Sequence, residues 1–204
     1  MNIGFLASHG GTNMQAIIDA CKEGRLDAKP ACIISNNPDS GALARAKKEN
    51  IPHYHLSSLT HPDPEALDQA IVGTLISHQV DIVVLAGYMK KIGPLTLKYF
   101  DGAILNIHPA LLPKYGGKGM YGMRVHEAVI AAGEKESGPS VHLVNEEYDA
   151  GPVIGQIRVP VLPEDTPETL AARVLEKEHE LFSGVLQKIV QGVITIPGYK
   201  GNQK

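Results

Sequence analysis

Short apolar runs alternate with segments of helical spacing along the chain, and this alternation restricts the fold more than any other feature of the sequence. Residues 2–7 are mostly apolar and stop at a glycine turn. Met14, Ile17 and Cys21 then follow at intervals of three and four, as on one face of a helix. Residues 80–86 (VDIVVLA) are nearly all apolar, which is typical of a parallel strand covered by helices on both faces. The alternation therefore predicts an open α/β sheet.

The same patterns assign an element to most of the chain. Predicted strands cover residues 2–7, 31–35, 80–86, 103–107, 140–145 and 153–161, and further predicted helices cover residues 38–50, 64–79, 94–100, 125–132 and 167–191. A glycine-rich loop is predicted at residues 116–122, before the helix at residues 125–132, and residues 194–204 are expected to form a tail. We expect one domain over residues 1–204, built on an open, mostly parallel, twisted sheet with helices on both faces.

Composition and charge exclude several classes of protein. With 43% hydrophobic and 20% charged residues, the chain matches soluble globular proteins. A net charge of −3 without a long basic run argues against a nucleic-acid binder. No apolar stretch reaches the roughly 20 residues that cross a bilayer, and the start lacks a signal peptide's features. Cys21 and Cys32 are too few for a disulfide framework, so we expect reduced thiols and a cytoplasmic protein without a membrane partner.

Ligands of open α/β sheets bind outside the carboxyl ends of the strands. That rule selects four segments of this chain, residues 8–13, 86–92, 106–109 and 145–151, each rich in glycine, proline or short polar side chains. We expect the functional site to be built from these segments.

The first of these segments contains Gly10-Gly11-Thr12-Asn13 at the start of a predicted helix. Free backbone N–H groups and the positive end of the helix dipole favour an anion there, and the glycines let it approach the backbone. The glycine spacing fits neither a P-loop nor a dinucleotide fingerprint. A phosphate site and a plain glycine turn capped by Thr12 are equally compatible with this pattern.

The third segment places Asn106 and His108 two residues apart on a strand, so both face one side. An amide donor beside an imidazole suits a developing oxyanion, and the imidazole can also exchange a proton near neutral pH. For an isolated pair of this kind, a structural histidine and a turn-capping asparagine would be the more common explanation.

Asp149 is the acidic residue of the fourth segment, in Tyr148-Asp149-Ala150-Gly151-Pro152. A carboxylate close to an imidazole raises the histidine pKa and favours the charged ring. Taken alone, an aspartate in a glycine-proline turn is more often structural.

Several longer motifs occur in one order along nearly the whole chain. Residues 106–115 read NIHPALLPKY, residues 85–89 read LAGYM, residues 140–142 read SVH, and residues 149–152 read DAGP. Together they resemble the folate-dependent formyltransferase family, which has a Rossmann-like fold. The amino-terminal loop with Asn13, the sequence EHE at 178–180 and the single-domain length narrow the resemblance to glycinamide ribonucleotide transformylases.

The resemblance implies a reaction between two small molecules. The formyl group of 10-formyltetrahydrofolate would pass to the amine of N1-(5-phosphoribosyl)glycinamide, giving the N-formyl product and tetrahydrofolate, in purine biosynthesis. No metal and no nucleic acid would take part, and the protein would be a monomer or a homodimer. Residues 1–100 would mainly serve the nucleotide phosphate, and residues 101–193 folate binding and catalysis.

The resemblance also implies a role for individual residues, position by position. Asn106, His108 and Asp149 would be catalytic; Gly11, Thr12 and Asn13 would bind the ribonucleotide phosphate and Glu178 its ribose; Met89, Lys90, Lys91, Ile92, Asn106, Asn145, Glu146, Glu147, Tyr148 and Asp149 would bind folate; Ser140 and His142 would lie behind the reacting groups. Some positions depart from the pattern of the family: Pro64 replaces a frequent arginine, and Leu175 a lysine or glutamine. Lys90 and Lys91 replace a more familiar arginine and apolar residue, and the glycine-rich stretch at residues 116–122 is longer than in some relatives.

Three other functions share parts of this pattern. A formyltetrahydrofolate hydrolase would use water as acceptor, and a methionyl-tRNA formyltransferase would use a charged tRNA, but each typically carries a further domain that this length does not hold. A binding module without activity would not need Asn106, His108 and Asp149 together. His53 and His55 could share a face as metal ligands, but an ordinary pair at a strand edge is the more common arrangement.

Overall fold

A computed structural model describes residues 1–199 and residue 201. Strands and helices alternate along the chain as β1 (Asn2–Ala7), α1 (Thr12–Lys22), β2 (Lys29–Ser35), α2 (Gly41–Lys48), β3 (His53–His55), α3 (Pro64–Ser77), β4 (Ile82–Leu85), α4 (Pro94–Tyr99), β5 (Ile104–His108), α5 (Met123–Ala131), β6 (Glu136–Ser137), β7 (Ser140–Leu143), β8 (Val153–Gln156), β9 (Val159–Pro160) and α6 (Pro167–Val190). No helix among these described residues is long and apolar enough to cross a membrane.

Seven strands form one sheet in the order β3-β2-β1-β4-β5-β7-β8. The first five pair in parallel, whereas β5 with β7 and β7 with β8 pair antiparallel. The mostly parallel sheet predicted from the sequence is confirmed. The chain builds outward from β1 to β3 on one side and from β4 onward on the other, so the strand order reverses between β1 and β4. Ligands of open α/β sheets bind at this kind of crevice.

Helices cover both faces of the sheet, and the alternating side chains of the strands fill two separate cores. Phe5 of β1 belongs to the core that also holds Met14 of α1 and Phe182 of α6. Leu6, the next residue along β1, faces the other core, which holds Leu75 of α3. All five side chains named for these cores have 0% exposure. Burial on both faces explains why the central strands read as continuous apolar runs.

Two predicted segments differ from the structure. The single strand expected at residues 153–161 is two strands, because the chain leaves the main sheet after β8 and β9 pairs instead with β6, a two-residue strand that the sequence did not indicate. The backbone of Ile157 passes so close to Gly138 that no side chain would fit there. This close packing accompanies the change of sheet.

The predicted tail is not free of the core. Ile196 is 4% exposed and packs with the residues around α1 and α6. The amide of Gly198 donates a hydrogen bond of 3.2 Å to the carbonyl oxygen of Gly102. Residues 200 and 202–204 of this predicted tail lie outside the described residues.

Candidate active site

Strand β5 carries two of the predicted catalytic residues at the centre of the sheet. Asn106 pairs in register with Leu85 of β4 on one side and with His142 of β7 on the other. His108, two residues further along, lies on the same side of the strand. Both residues line one cavity. The strand therefore presents an amide and an imidazole to one space.

The amide of Asn106 is oriented by neighbours on and after β7. Nδ1 of His142 lies 2.9 Å from the carbonyl oxygen of Leu143, so this nitrogen carries a hydrogen. Nε2 of the same ring lies 3.1 Å from Nδ2 of Asn106. The same amide nitrogen lies 3.5 Å from Oδ1 of Asp149. These contacts fix which side of the amide donates.

Both ring nitrogens of His108 face acceptor oxygens. Nε2 donates a hydrogen bond of 2.7 Å to the carbonyl oxygen of Tyr115, because a carbonyl can only accept. Nδ1 lies 3.5 Å from Oδ2 of Asp149. The side chain is only 4% exposed. In the charged ring both nitrogens would donate, whereas in the neutral ring Nδ1 turns a lone pair toward the carboxylate.

Burial outweighs these acceptors in setting the charge of His108. Desolvation lowers the pKa of the ring below its usual value, while Asp149 and the Tyr115 carbonyl raise it and His142 lowers it further. The expectation that Asp149 keeps the ring charged therefore needs correction. The carboxylate acts in the expected direction, but the net shift of the pKa is downward because the ring is cut off from water.

Asp149 contacts both His108 and the pair formed by Asn106 and His142. Besides facing His108, it lies 3.5 Å from Nε2 of His142 through Oδ1, and Oδ2 accepts a hydrogen bond of 2.9 Å from the amide of Gly117. Desolvation alone would raise the pKa of Asp149, but the contacts with His142, His108 and Gly117 outweigh it and lower that pKa below the usual value. The carboxyl group is therefore a carboxylate at neutral pH.

The rule about the carboxyl ends of parallel strands does not explain the position of Asp149, which lies in a loop after an antiparallel strand. Because β7 is antiparallel to β5, its carboxyl end lies beside the start of β5, where the amide of Val144 donates to the carbonyl of Ile104. The loop then folds back over the sheet. Gly151 packs against the carbonyl of Leu143 with no room for a side chain. Asp149 itself has a φ of 55°, which is uncommon outside glycine.

A narrow cavity, about 510 Å³ in volume, opens beside Asn106. Its lining includes nine of the ten residues predicted for folate, namely Lys90, Lys91, Ile92, Asn106, Asn145, Glu146, Glu147, Tyr148 and Asp149. Met89 lines the neighbouring cavity instead. Apolar side chains of Leu85, Leu97 and Val144 also line this cavity. A flat ring system with polar edges fits such a lining.

A wide cavity, about 1520 Å³ in volume, extends from His108 and Asp149 to Asn13 and Glu178. Nδ2 of Asn13 donates a hydrogen bond of 2.6 Å to Oε2 of Glu178. Oδ1 of Asn13 is buried and accepts no hydrogen bond from any described residue. Burial raises the pKa of Glu178, and the hydrogen bond from Asn13 opposes that shift. The end of the wide cavity thus holds a buried carboxyl group that can bind hydroxyl groups.

The amino terminus of α1 lies beside Asn13. Gly11 caps the helix with a φ of 69°, and no side chain of the described residues accepts a hydrogen bond from the first turn. Thr12 is the first helical residue, so the alternative in which Thr12 caps a structural turn is wrong. A Cβ on Gly11 would approach the Cα of Ala42 to 3.0 Å. The first backbone N–H groups of α1 remain available to an anion.

Ser8 holds the loop between β4 and α4, a role that the sequence patterns did not indicate. Its Oγ accepts a hydrogen bond of 2.8 Å from the amide of Met89 and donates one of 2.6 Å to Oδ1 of Asn36. The side chain is 2% exposed. Ser8 lies in a segment selected from the sequence, but its contacts are with residues distant along the chain.

Asp68 holds the other end of the same loop. Its carboxylate accepts hydrogen bonds from the amides of Leu95 (2.7 Å) and Thr96 (3.2 Å) and from the hydroxyl of Thr96 (2.5 Å). It therefore caps α4 from the neighbouring helix α3. The signal in the sequence is a charged residue three before Ile71 and seven before Leu75, on the buried face of α3.

Ser140 acts on the turn that follows β5. Its Oγ donates a hydrogen bond of 2.6 Å to the carbonyl of Ala110 and accepts bonds from the amide of Leu112 (3.0 Å) and from Nε2 of Gln156 (2.7 Å). It does not line either cavity. Ser140 shapes the backbone behind the reaction centre, whereas His142 touches Asn106 itself.

His53 and His55 lie on the edge strand β3, apart from this site. Nδ1 of His53 is 2.9 Å from the carbonyl of Ile51, and Nε2 of His55 is 2.9 Å from Oγ of Ser57. Within residues 1–199 and residue 201, no group of three or more histidine, cysteine, aspartate or glutamate side chains is arranged to hold a metal ion.

Comparison with known proteins assigns this geometry to a family. Residues 1–186 match the model of a family described as formyl transferase. The chain belongs to the formyl transferase family. It is 44% identical over 190 residues to phosphoribosylglycinamide formyltransferase of Haemophilus influenzae, covering 93% of this chain and 87% of that relative. The match therefore spans nearly the whole of both proteins.

Solved structures of the formyl transferase family share the fold. Glycinamide ribonucleotide transformylase 1 from Symbiobacterium toebii has a TM-score of 0.89 at 37% identity, covering 97% of this chain and 91% of that one. A formyltetrahydrofolate deformylase from Pseudomonas syringae has a TM-score of 0.84 at 26% identity, covering 97% of this chain but 64% of that one. The chain thus has the fold of formyl transferases.

Proposed function

We propose that this formyl transferase moves the formyl group of 10-formyltetrahydrofolate to the amine of N1-(5-phosphoribosyl)glycinamide, the formylation step of purine biosynthesis. One observation supports the reaction most directly: Asn106, His108 and Asp149 converge where the narrow and wide cavities meet, within 3.5 Å of one another through Asp149. Asn106 and Asp149 line both cavities. A group held in one cavity can therefore be passed to an acceptor held in the other.

The substrates divide between the two cavities. The pterin of the folate occupies the narrow cavity, against the loop after β4 and the loop that carries Tyr148 and Asp149. The ribonucleotide occupies the wide cavity, with its phosphate at the start of α1 and a ribose hydroxyl on Glu178. The unpaired Oδ1 of Asn13 supplies an acceptor nearby. This arrangement directs the glycyl amine toward the formyl carbon.

The protein mainly stabilises the negative charge that develops on the formyl oxygen. When the amine attacks, a C–N bond forms and the carbonyl electron pair moves to oxygen. Nδ2 of Asn106 and Nδ1 of the charged His108 ring donate to that oxygen, each contributing about 3 kcal/mol when well placed. Negative charge on that oxygen favours the protonated ring and so opposes the desolvation that lowers the pKa of His108.

Collapse of the tetrahedral centre completes the transfer. The electron pair on oxygen re-forms the carbonyl, and the bond between the carbon and the folate nitrogen breaks. One proton leaves the attacking amine and one reaches the departing nitrogen, so no net proton is consumed. Asp149, ionised because its pKa is lowered, orients the donors and a water that can carry this proton. The cycle needs no covalent enzyme intermediate.

An assay with separate measurement of both products tests this function. The enzyme is given 10-formyltetrahydrofolate with and without the ribonucleotide, and N-formyl product and free formate are quantified. We expect N-formyl product that depends on the ribonucleotide and little formate in its absence. Formate release at the same rate with and without the ribonucleotide would contradict the proposal.

The alternative with water as acceptor has one observation in its favour, the shared fold of the formyltetrahydrofolate deformylase. The same assay separates the two reactions, because the deformylase reaction releases formate without any ribonucleotide. A cytoplasmic location and a monomeric or homodimeric state remain predictions.

A further inference from the structure

The turn formed by Tyr115, Gly116 and Gly117 touches both members of the His108–Asp149 pair. The carbonyl oxygen of Tyr115 accepts the hydrogen bond from Nε2 of His108 at 2.7 Å. Two residues later, the amide of Gly117 donates to Oδ2 of Asp149 at 2.9 Å. The same Oδ2 faces Nδ1 of His108. One short turn therefore contacts the imidazole at one nitrogen and the carboxylate that faces its other nitrogen.

Tyr115 reaches this position in an unfavourable backbone conformation. Its φ is 58°, in the left-handed region that a bulky side chain seldom adopts. Such a conformation persists only where surrounding contacts hold it. The phenol supplies one, since its hydroxyl donates a hydrogen bond of 2.9 Å to Oε1 of Glu134, which is also bound by Lys114 at 2.7 Å. The hydroxyl thus anchors the backbone whose carbonyl meets His108.

Gly116 allows the turn to lie against Asp149. A Cβ at this position would be 2.6 Å from Cδ2 of Leu112 and 3.1 Å from Cβ of Asp149. The end of the Leu112 side chain would have to move, and the turn or Asp149 would have to shift by a few tenths of an ångström to make room. The absence of a side chain at position 116 therefore sets the distance between the turn and the carboxylate.

We propose that the Tyr115–Gly117 turn is the positioning element of the reaction centre, and that the anchor between Tyr115 and Glu134 determines which nitrogen of His108 faces the substrate. With Nε2–H committed to the Tyr115 carbonyl, Nδ1 is left to face Asp149 and the formyl oxygen. Tyr115 and Glu134 touch no reacting atom. This inference rests on the proposed function for its kinetic readout, but the tautomer of His108 can be measured without turnover.

Three titratable groups besides the turn bear on the charge of the His108 ring. Asp149 and His142 lie beside it at the centre, and His126 of α5 interacts with it from the adjacent helix. None of these three residues is substituted in the Tyr115 and Glu134 variants. A shift in the behaviour of His108 in such variants would therefore report on the turn.

Tyr115→Phe removes the anchor and retains the ring. We expect kcat to fall roughly 10- to 100-fold because the imidazole is misplaced, with KM for both substrates changed less than about threefold. Loss of the carbonyl contact also lowers the pKa of His108. The basic limb of the pH–rate profile, on its high-pH side, should therefore shift to lower pH. In ¹⁵N NMR spectra, assigned with His108→Gln, the single Nε2–H form should become a mixture of tautomers.

Matched variants separate positioning from general damage. Glu134→Gln keeps an oxygen that accepts from the Tyr115 hydroxyl and should behave like the original protein, whereas Glu134→Ala should behave like Tyr115→Phe. Tyr54→Phe also deletes a hydroxyl hydrogen bond, 2.7 Å to His78 on the far edge of the sheet, and should change neither kcat nor the His108 spectrum. Gly116→Ala should lower kcat, while Gly184→Ala, with open space around it, should not.

An unchanged tautomer and an unmoved basic limb in both Tyr115→Phe and Glu134→Ala would overturn the proposal, whatever happens to stability. Equal loss of kcat in Glu134→Gln and Glu134→Ala would also overturn it. Failure of the proposed function has a different signature, because formate would then be released at the same rate with and without the ribonucleotide while the ¹⁵N spectra of Tyr115→Phe still showed the change of tautomer.

Discussion

The reaction centre and the loop between β4 and α4 line the same two cavities, but different parts of the chain hold them in place. Asn106 and His108 are fixed by their positions on a central strand and by the adjacent turn, only seven residues from His108. The β4–α4 loop is fixed by side chains 81 residues away at Ser8 and 27 residues away at Asp68. The first region aligns reacting atoms, and the second shapes a binding wall. Changes in the first should therefore lower kcat, and changes in the second should raise KM for the formyl donor.

The largest effect is expected at the reaction centre. Asn106→Ala and Asp149→Ala should each lower kcat by about 10²- to 10³-fold, because a donor to the oxyanion or its orientation is lost. Steady-state kinetics with both substrates measure this, and unfolding in urea shows whether the fold survives. Near-normal kcat in both variants would contradict the distinction between a reaction centre that determines kcat and a β4–α4 loop that determines KM.

Asp149→Asn tests whether the carboxylate of Asp149 raises the pKa of His108. The carboxylate raises the pKa of His108 against the larger effect of burial, so its removal should lower that pKa further. A ring that must be protonated then loses activity at lower pH, and the basic limb of the rate profile moves downward. A limb that stays in place would show that Asp149 does not act through the charge of His108.

Asp68→Ala should have the largest effect among changes to the β4–α4 loop. The amides of Leu95 and Thr96 lose their buried acceptor, which costs about 2–4 kcal/mol of the free energy of unfolding. KM for the formyl donor should rise while kcat for saturated enzyme stays within about threefold. Asp63→Ala is the matched control, because Asp63 caps α3 through the amide of Ala66 at 2.9 Å but does not touch the loop. It should lose about 1 kcal/mol without a change in KM.

A smaller effect of the same kind is expected for Ser8→Ala. One hydrogen bond to the Met89 amide is lost, worth about 1 kcal/mol, so KM for the formyl donor should rise roughly fivefold. Ser40→Ala removes an equally buried hydroxyl, the cap of α2, away from the loop. A rise in KM for the ribonucleotide rather than the folate would assign Ser8 to the other cavity.

The smallest expected effect concerns the pH dependence of stability at Glu178. Burial raises its pKa in the folded protein, so the native state binds a proton more tightly than the unfolded chain. Stability is then greatest below the unfolded pKa of about 4.3 and falls as pH rises through the folded value. Glu178→Gln should flatten this dependence in urea unfolding measured across acidic pH. If the free energy of unfolding rose with pH over this acidic range in the unsubstituted protein but not in Glu178→Gln, a raised pKa of Glu178 would be contradicted.

Much of the site could be predicted, because sequence spacing carries direct geometric information on regular elements. Asn106 and His108 share a side of β5 as their spacing of two requires. The glycine turn before Asn13 leads into α1 as its pattern indicated. The motif resemblance selected Asp149, although the rule about strand ends did not apply to the antiparallel β7. The split of residues 153–161 between two sheets was missed because strands of two residues have no periodicity to detect.

The sequence by itself determined the order of the longer strands and helices, the double-sided burial of the central strands and the residue types of the reaction centre, since these depend on local spacing and hydrophobicity. Only the tertiary structure decided how those residues behave. Ser8 and Asp68 acquire their roles from partners distant along the chain. The lowered pKa of His108 results from desolvation competing with Asp149, and that balance depends on every group packed around the ring rather than on the sequence near it.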